Sequence, residues 1–198
     1  MVAIIKYNAG NTQSVMCALK RLGVPFILTD DEREIRSADH VIFPGVGEAR
    51  SAMSYLKERG MVSLIRSLDM PFLGICLGMQ LLSSFSEEND TECLDIVPLS
   101  IRRFEKRDGY KIPHMGWNTV SFDEGCPLFK GISNDSYFYF VHSYYAEDAD
   151  CAIARTDYDG ITFSSAIAKD NFYGVQFHPE KSGEDGLRLL SNFLKETR

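Results

Sequence analysis

Apolar and polar positions divide the chain into two rhythms. In the first, short apolar runs alternate with stretches of helical period. Residues 2–7, Val-Ala-Ile-Ile-Lys-Tyr, read as a buried strand. Asn8-Ala9-Gly10-Asn11 is a turn, and Asn11 or Thr12 can cap a helix that runs to about Leu22. Gly23-Val24-Pro25 stops it. Strands follow at 26–28 and 40–43, with a short helix at 32–37 between them. The second of these strands ends at Pro44-Gly45-Val46-Gly47. Helices are expected near 50–59 and 62–68, then a strand at 72–75. Strand and helix in alternation predict a parallel, doubly wound sheet whose ligands sit at the strand carboxyl ends.

The rhythm changes after the helix that follows the 72–75 strand. Ser86-Glu87-Glu88-Asn89-Asp90 reads as a polar loop. Strand patterns then recur at 99–104, 117–122, 137–143, 152–155, 163–168 and 172–177. Asp108-Gly109, Glu124-Gly125 and Asp159-Gly160 are the turn signals between them. Hairpins of this kind add antiparallel strands to the sheet. The stretch 186–194 closes the chain as an amphipathic helix, with Leu187, Leu190 and Leu194 on one face. No repeat, low-complexity tract or linker interrupts the pattern, so 1–198 is expected to form one domain.

Composition narrows the class. The chain has 198 residues, 44% of them hydrophobic, and a net charge of -7. Without a basic block it is a poor candidate for nucleic acid. No run is long and apolar enough to span a membrane, and the N-terminus lacks a signal-peptide pattern. Its five cysteines, Cys17, Cys76, Cys93, Cys126 and Cys151, are odd in number and contain no C-x-x-C pair. That argues against a disulfide framework or zinc site, and for a reducing, cytoplasmic setting. No metal or cofactor is expected.

The candidate chemistry sits in Gly74-Ile75-Cys76-Leu77-Gly78-Met79-Gln80. Gly-x-Cys-x-Gly between a strand and a helix has the layout of a nucleophile elbow, with sulfur in place of oxygen. Such a turn crowds its neighbours, so Gly74 and Gly78 carry no side chain. It aims Cys76 out of the sheet beside a helix N-terminus, which favours a thiolate. The N–H of Leu77 can face an oxyanion there. The competing reading is a buried structural cysteine between packing glycines. A nucleophilic cysteine also needs a base and a group to orient it. Of four histidines, His178 stands in Gln176-Phe177-His178-Pro179-Glu180, just past a strand. Residues i and i+2 on extended backbone point the same way, so Glu180 can hold the imidazole. His40 reads as structural. His114, His142 and Trp117 read by default as packing residues.

The elbow together with the late His-Pro-Glu resembles the class I (triad) glutamine amidotransferases. The resemblance extends through Pro44-Gly45-Val46-Gly47, Ile112-Pro113-His114-Met115-Gly116-Trp117-Asn118, Phe140-Val141-His142-Ser143-Tyr144-Tyr145 and His178-Pro179-Glu180-Lys181-Ser182. These runs are most similar to the family members that serve histidine biosynthesis as glutaminase subunits. The resemblance implies a flavodoxin-like three-layer α/β fold with a mixed, mostly parallel sheet. It implies a Cys76–His178–Glu180 triad and an oxyanion strand at Gly45, Val46 and Gly47. There a peptide N–H near Val46 has to turn inward to join that of Leu77. It implies that Gln80 and Glu88 hold substrate L-glutamine, Glu88 at its ammonium. Backbone at His142, Ser143 and Tyr144 would receive its carboxylate. Asn11, Trp117, Tyr139 and Lys181 would dock on a (β/α)8-barrel cyclase subunit in a heterodimer. The barrel would channel ammonia to a phosphorylated aminoimidazole-carboxamide ribonucleotide precursor. One stretch departs from the family. Residues 91–103 lack the glycines usually placed before the Arg-Phe pair, here Arg103-Phe104.

Three other functions compete. An amidotransferase of a different biosynthesis is opposed by Lys181 after His-Pro-Glu and by the Pro-His-Met-Gly-Trp-Asn run. A non-catalytic module on the same fold is opposed by the intact Cys76, His178 and Glu180. A stand-alone Cys-His hydrolase or peptidase would need no partner.

Overall fold

A computed structural model describes residues 1–8, 11–106 and 109–197. Ala9 and Gly10 of the first predicted turn, and Asp108 of Asp108-Gly109, lie outside the described residues. The first half alternates as the pattern requires: β1 (Val2–Ile5), α1 (Thr12–Arg21), β2 (Phe26–Thr29), α2 (Glu32–Arg36), β3 (His40–Gly45), α3 (Ala49–Glu58), α4 (Met61–Arg66), β4 (Phe72–Cys76) and α5 (Leu77–Leu81). Local chemistry sets the helix starts. The Asp31 carboxylate accepts from the N–H groups of Arg33 and Glu34 at the start of α2. The Glu48 carboxylate does the same for Arg50 and Ser51 at α3. Gly60, at φ 67, turns the chain from α3 into α4. Several boundaries differ from expectation by one or two residues, β1 for example ending at Ile5 rather than Tyr7. β3 runs on through Pro44 and Gly45, because Gly45 pairs in register with Cys76 of β4.

The second half is richer in strands than its pattern. It contains β5 (Phe85–Ser86), β6 (Thr91–Glu92), β7 (Ser100–Arg103), β8 (His114–Phe122), β9 (Ser136–His142), β10 (Tyr144–Ala146), β11 (Ala152–Tyr158), β12 (Ile161–Lys169) and β13 (Phe172–Val175), then α6 (Gly183–Glu196). The polar loop expected at 86–90 is the tip of a small β5–β6 hairpin. Asn89 and Asp90 hold its positive φ values, a conformation these two residue types tolerate. The departing stretch 91–103 thus leads through β6 and on to β7. β8 begins three residues before the predicted strand, since His114 pairs with His142 across the β8–β9 ladder. Only Ser143 separates β9 from β10, and the sequence pattern did not resolve the two. Asp159-Gly160, at φ 56 and 69, joins β11 to β12 as a two-residue hairpin turn.

The strands order as β2-β1-β3-β4-β13-β12-β10-β7-β5-β6, with β11, β8 and β9 branching from β12. From β2 to β13 every pair is parallel. From β12 outward the sheet is extended mostly by antiparallel pairs, the β7–β5 pair being parallel. Alternation along β1 sends Ala3 and Ile5 to one face and Val2 and Ile4 to the other. The first face is covered by apolar residues of α2 to α5, including Ile35, Met53, Leu64 and Met79. The second is covered by α1 and α6 through Val15, Leu19, Leu190 and Phe193. The result is a three-layer α/β fold. β3, β4 and β13, adjacent and parallel, bring their carboxyl ends to one edge. Among the described residues no helix is long and apolar enough to cross a membrane.

Candidate active site

Cys76 ends β4 and precedes the first residue of α5, at φ 53 and ψ -111. Few non-glycine residues sit there, and holding one costs on the order of 1–3 kcal/mol. Close packing on both sides imposes it. A Cβ on Gly78 would fall 1.8 Å from the carbonyl oxygen of Phe43 in β3, and one on Gly74 would fall 2.6 Å from the carbonyl oxygen of Gly78. A Cβ on Gly45 would meet the Tyr7 hydroxyl at 2.5 Å and the Gly78 nitrogen at 2.7 Å. Gly45 is therefore a contact glycine. Gly47 instead holds a φ of 111, a conformation open to glycine at low cost.

The neighbouring strand brings the base. β13 pairs Val175 with Ile75, so the chain beyond it passes Cys76 and reaches His178. The His178 N–H donates to the Tyr139 carbonyl at 2.9 Å, which fixes this segment against β9. His178 Nδ1 donates to Glu180 Oε1 at 2.8 Å, and the two side chains are only 2% and 1% exposed. Burial alone disfavours the imidazolium. The Cys76 sulfur and the Glu180 carboxylate outweigh it and push His178 up to about 10. His178 Nε2 makes no hydrogen bond of ordinary geometry among the described residues. Cys76 itself is 7% exposed.

The other singled-out residues fall into two groups. Gln80 is buried, and its Nε2 donates to the Tyr144 carbonyl and to Gln176 Oε1, each at 2.9 Å. Gln176 Nε2 in turn approaches Cys76 Sγ at 3.7 Å. The Glu88 carboxylate lies at the start of α3, with Oε2 accepting from the Ala49 N–H at 2.7 Å. Burial raises its pKa. The Ser143 carbonyl accepts from the Phe104 N–H at 3.1 Å. On the outer surface Trp117 is 56% exposed and meets the Tyr139 ring edge-on at 6.1 Å. Lys181 Nζ stands 5.9 Å from the same ring. Trp117 is thus not the packing residue that is the default for tryptophan. Asn11 precedes α1 and accepts from the Ser14 hydroxyl. Val46, 37% exposed, lies just past β3.

Two features escaped the sequence. Gln176 lies in the Gln-Phe-His-Pro-Glu run, and the register of β13 on β4 sets it beside Cys76. His114 Nδ1 and His142 Nε2 are 2.9 Å apart, and His142 Nδ1 donates to the Tyr144 carbonyl at 2.7 Å. Burial depresses both rings, His114 to about 4 and His142 to about 3. Both are therefore neutral, and the bonding sets their tautomers: His114 donates and His142 accepts.

A buried cysteine on a strained elbow, beside a carboxylate-held histidine, is the equipment of nucleophilic acyl transfer. The model of the glutamine amidotransferase class-I family matches residues 3–197. The chain belongs to that family. Within it, the chain is 54% identical over 195 residues to Imidazole glycerol phosphate synthase subunit HisH of Bacteroides fragilis (strain YCH46), covering 98% of each chain. It is 51% identical over 194 residues to the subunit of that name from Bacteroides thetaiotaomicron, again with 98% of each chain covered. Solved structures agree in fold. A glutamine amidotransferase superposes with a TM-score of 0.75 at 17% identity, with 98% of both chains covered. PurLQS of Thermotoga maritima gives 0.72 at 15% identity, covering 98% of this chain and 97% of that one.

Proposed function

We propose that this chain is the glutaminase subunit of imidazole glycerol phosphate synthase, with Cys76, His178 and Glu180 as its catalytic triad and residues 1–198 acting as one domain. The observation that carries the chemistry is Cys76, aimed from a strained elbow at the end of the strand beside the one that leads to His178 and Glu180. The Cys76 thiolate attacks the carboxamide carbon of L-glutamine and forms a C–S bond. The Leu77 N–H, unpartnered within a helix that begins there, faces the oxyanion. The second donor comes from the 45–47 segment, near Val46. His178, held by Glu180, gives its proton to the departing nitrogen, and the C–N bond breaks to release ammonia. Water deprotonated by His178 then attacks the thioester. The C–S bond breaks, and glutamate and the thiolate are released. Glu88 still has Oε1 for the substrate ammonium, and the N–H groups at 142–144 suit the carboxylate.

The ammonia is delivered to a cyclase subunit, a (β/α)8 barrel docked on Trp117, Tyr139, Lys181 and Asn11. That subunit forms imidazole glycerol phosphate and an aminoimidazole-carboxamide ribonucleotide for histidine biosynthesis. Exposure of Trp117 beside Tyr139 and Lys181 supports this face, since aromatic residues anchor interfaces. Five free cysteines suit the cytoplasm. The test is glutamate release by the chain mixed with its cyclase, before and after treatment with a glutamine-analogue electrophile. Modification confined to Cys76, and loss of activity in Cys76→Ala with partner binding kept, is the expected result. Modification of Cys126 or Cys151 with loss of activity would overturn it.

A further inference from the structure

Gln80 and Gln176 form a buried amide pair whose orientation can be read without ambiguity. The oxygen and nitrogen of an amide side chain are nearly the same size, so neighbours decide which is which. The Tyr144 carbonyl can only accept, so the Gln80 atom 2.9 Å from it is the NH2 group. That same NH2 has a second hydrogen, directed at Gln176 2.9 Å away. The Gln176 atom receiving it must be the oxygen. Its nitrogen is thereby turned to Cys76 Sγ at 3.7 Å, an ordinary reach for N–H to sulfur. The anchor is itself fixed, because the Tyr144 carbonyl also accepts from His142 Nδ1 at 2.7 Å. Gln176 is fully buried and Gln80 nearly so, which keeps water from replacing either bond.

We infer that Gln176 is a hydrogen-bond donor to the nucleophilic sulfur and that Gln80 is a positioning residue that sets its amide. A donor at this place favours the thiolate over both the thiol and the thioester. It raises the fraction of reactive sulfur, and it eases departure of the sulfur when the thioester breaks. The inference rests on Cys76 being the nucleophile. It changes the expectation for Gln80, whose NH2 is spent within the protein, leaving only its oxygen for substrate.

The experiment follows alkylation of Cys76 by iodoacetamide in the full chain between pH 5 and 10, with the site mapped by mass spectrometry. Gln176→Met keeps volume and removes the donor. A hydrogen bond to a charged group contributes about 1.5–3 kcal/mol. At about 1.4 kcal/mol per factor of ten, alkylation at pH 7 falls about 10-fold to 100-fold, while the rate at pH 10 stays near wild type. Gln80→Met frees the Gln176 amide to turn over and moves the profile in the same direction by a smaller factor. If the methionine variant at 176 does not fold, Gln176→Leu carries the test, since it also removes the donor without adding a charge beside the sulfur, and shows the same loss. A profile for Gln176→Met identical to wild type would overturn the donor. A Gln80→Met protein with unmoved alkylation but raised KM for glutamine would assign Gln80 to the substrate instead. Alkylation that modified other cysteines and spared Cys76 in the wild type would sink the nucleophile assignment, a separate failure.

Discussion

His178 and Glu180 differ in what they contribute, although they touch. The carboxylate accepts from Nδ1 at 2.8 Å with both side chains out of water. In the proposed mechanism it sets the ring and supports its charge, but moves no proton to substrate. Gln at position 180 would still offer an oxygen to Nδ1. Glu180→Gln is therefore expected to retain substantial activity, within about tenfold of wild type, whereas His178→Asn loses about 10²–10⁴-fold, the usual scale for general acid–base catalysis. Single-turnover release of ammonia from the two variants distinguishes them. Equal losses would mean that the pair acts as one unit. The i+2 relation of these residues was legible in the sequence because an extended backbone has a fixed period. The Gln176 contact was not, because it depends on β4 and β13 lying side by side although a hundred residues separate their sequences.

At the scale of elements, the elbow is held by contact between backbones. α5 has only five residues, too few to stand by its own hydrogen bonds. It stays because Gly78 lets it rest on the Phe43 carbonyl and Gly74 lets β4 approach it. A methyl group at 78 would meet that carbonyl at 1.8 Å, and the obstacle is main chain that cannot rotate away. Gly78→Ala is expected to cost about 3 kcal/mol or more, at the upper end for overpacking. Urea unfolding measures it, and a midpoint equal to wild type would show that α5 can shift off β3. The glycines at 74 and 78 were legible as a crowded turn. The role of Gly45 was not, since its neighbours Tyr7 and Gly78 come from other elements. The elements of the parallel half were legible because β1, β3 and β4 are apolar runs buried almost throughout and the longer helices carry an apolar stripe, although β2 is only half-buried. The later strands alternate or are only two or three residues long. Pairing across the sheet defines their ends, as with His114 opposite His142, and a one-dimensional pattern does not carry that. The same histidines give a pH prediction. Their folded values near 4 and 3 lie below the ordinary 6.5, so the unfolded chain binds more protons at acid pH. Their contribution is complete above pH 6.5 and is lost as pH falls towards 4 and 3. At pH 5 each takes away about 2 kcal/mol relative to neutral pH. A variant with His114→Gln should show a shallower fall in urea midpoint between pH 7 and 5 than the wild type; an equal fall would mean that other groups govern acid unfolding.

Over the whole molecule, the proposed docking face and the proposed catalytic base share a backbone. The Tyr139 carbonyl receives the His178 N–H, the Tyr139 N–H donates to the Ser182 hydroxyl at 3.0 Å, and the Lys181 N–H donates to the His178 carbonyl at 3.0 Å. Trp117 lies opposite Tyr139 in the β8–β9 ladder. A cyclase subunit docked as proposed on Trp117, Tyr139 and Lys181 would therefore press on the strand and turn that hold His178. The proposed oxyanion segment, at Val46 and Gly47, lies past the end of β3, and Gly47 occupies a region of φ that leaves alternative backbone states open at low cost. Ammonia released with no acceptor wastes glutamine, so an idle state in the free chain is advantageous. A partner can draw the segment from idle to productive only to the extent that it binds the productive state more tightly. Loss of one oxyanion donor typically costs about 10²–10³ in rate, which sets the size of gate available. Glutamine hydrolysis should accordingly be slow in the chain alone, faster with the cyclase, and fastest with cyclase plus its nucleotide ligand. Full activity in the isolated chain would remove the gate. Lys181→Ala should leave the slow basal rate unchanged and weaken the rise on adding cyclase and ligand. If that variant matches wild type in all three conditions, the coupling does not run through Lys181, and the contact of Trp117 with Tyr139 becomes the one to alter.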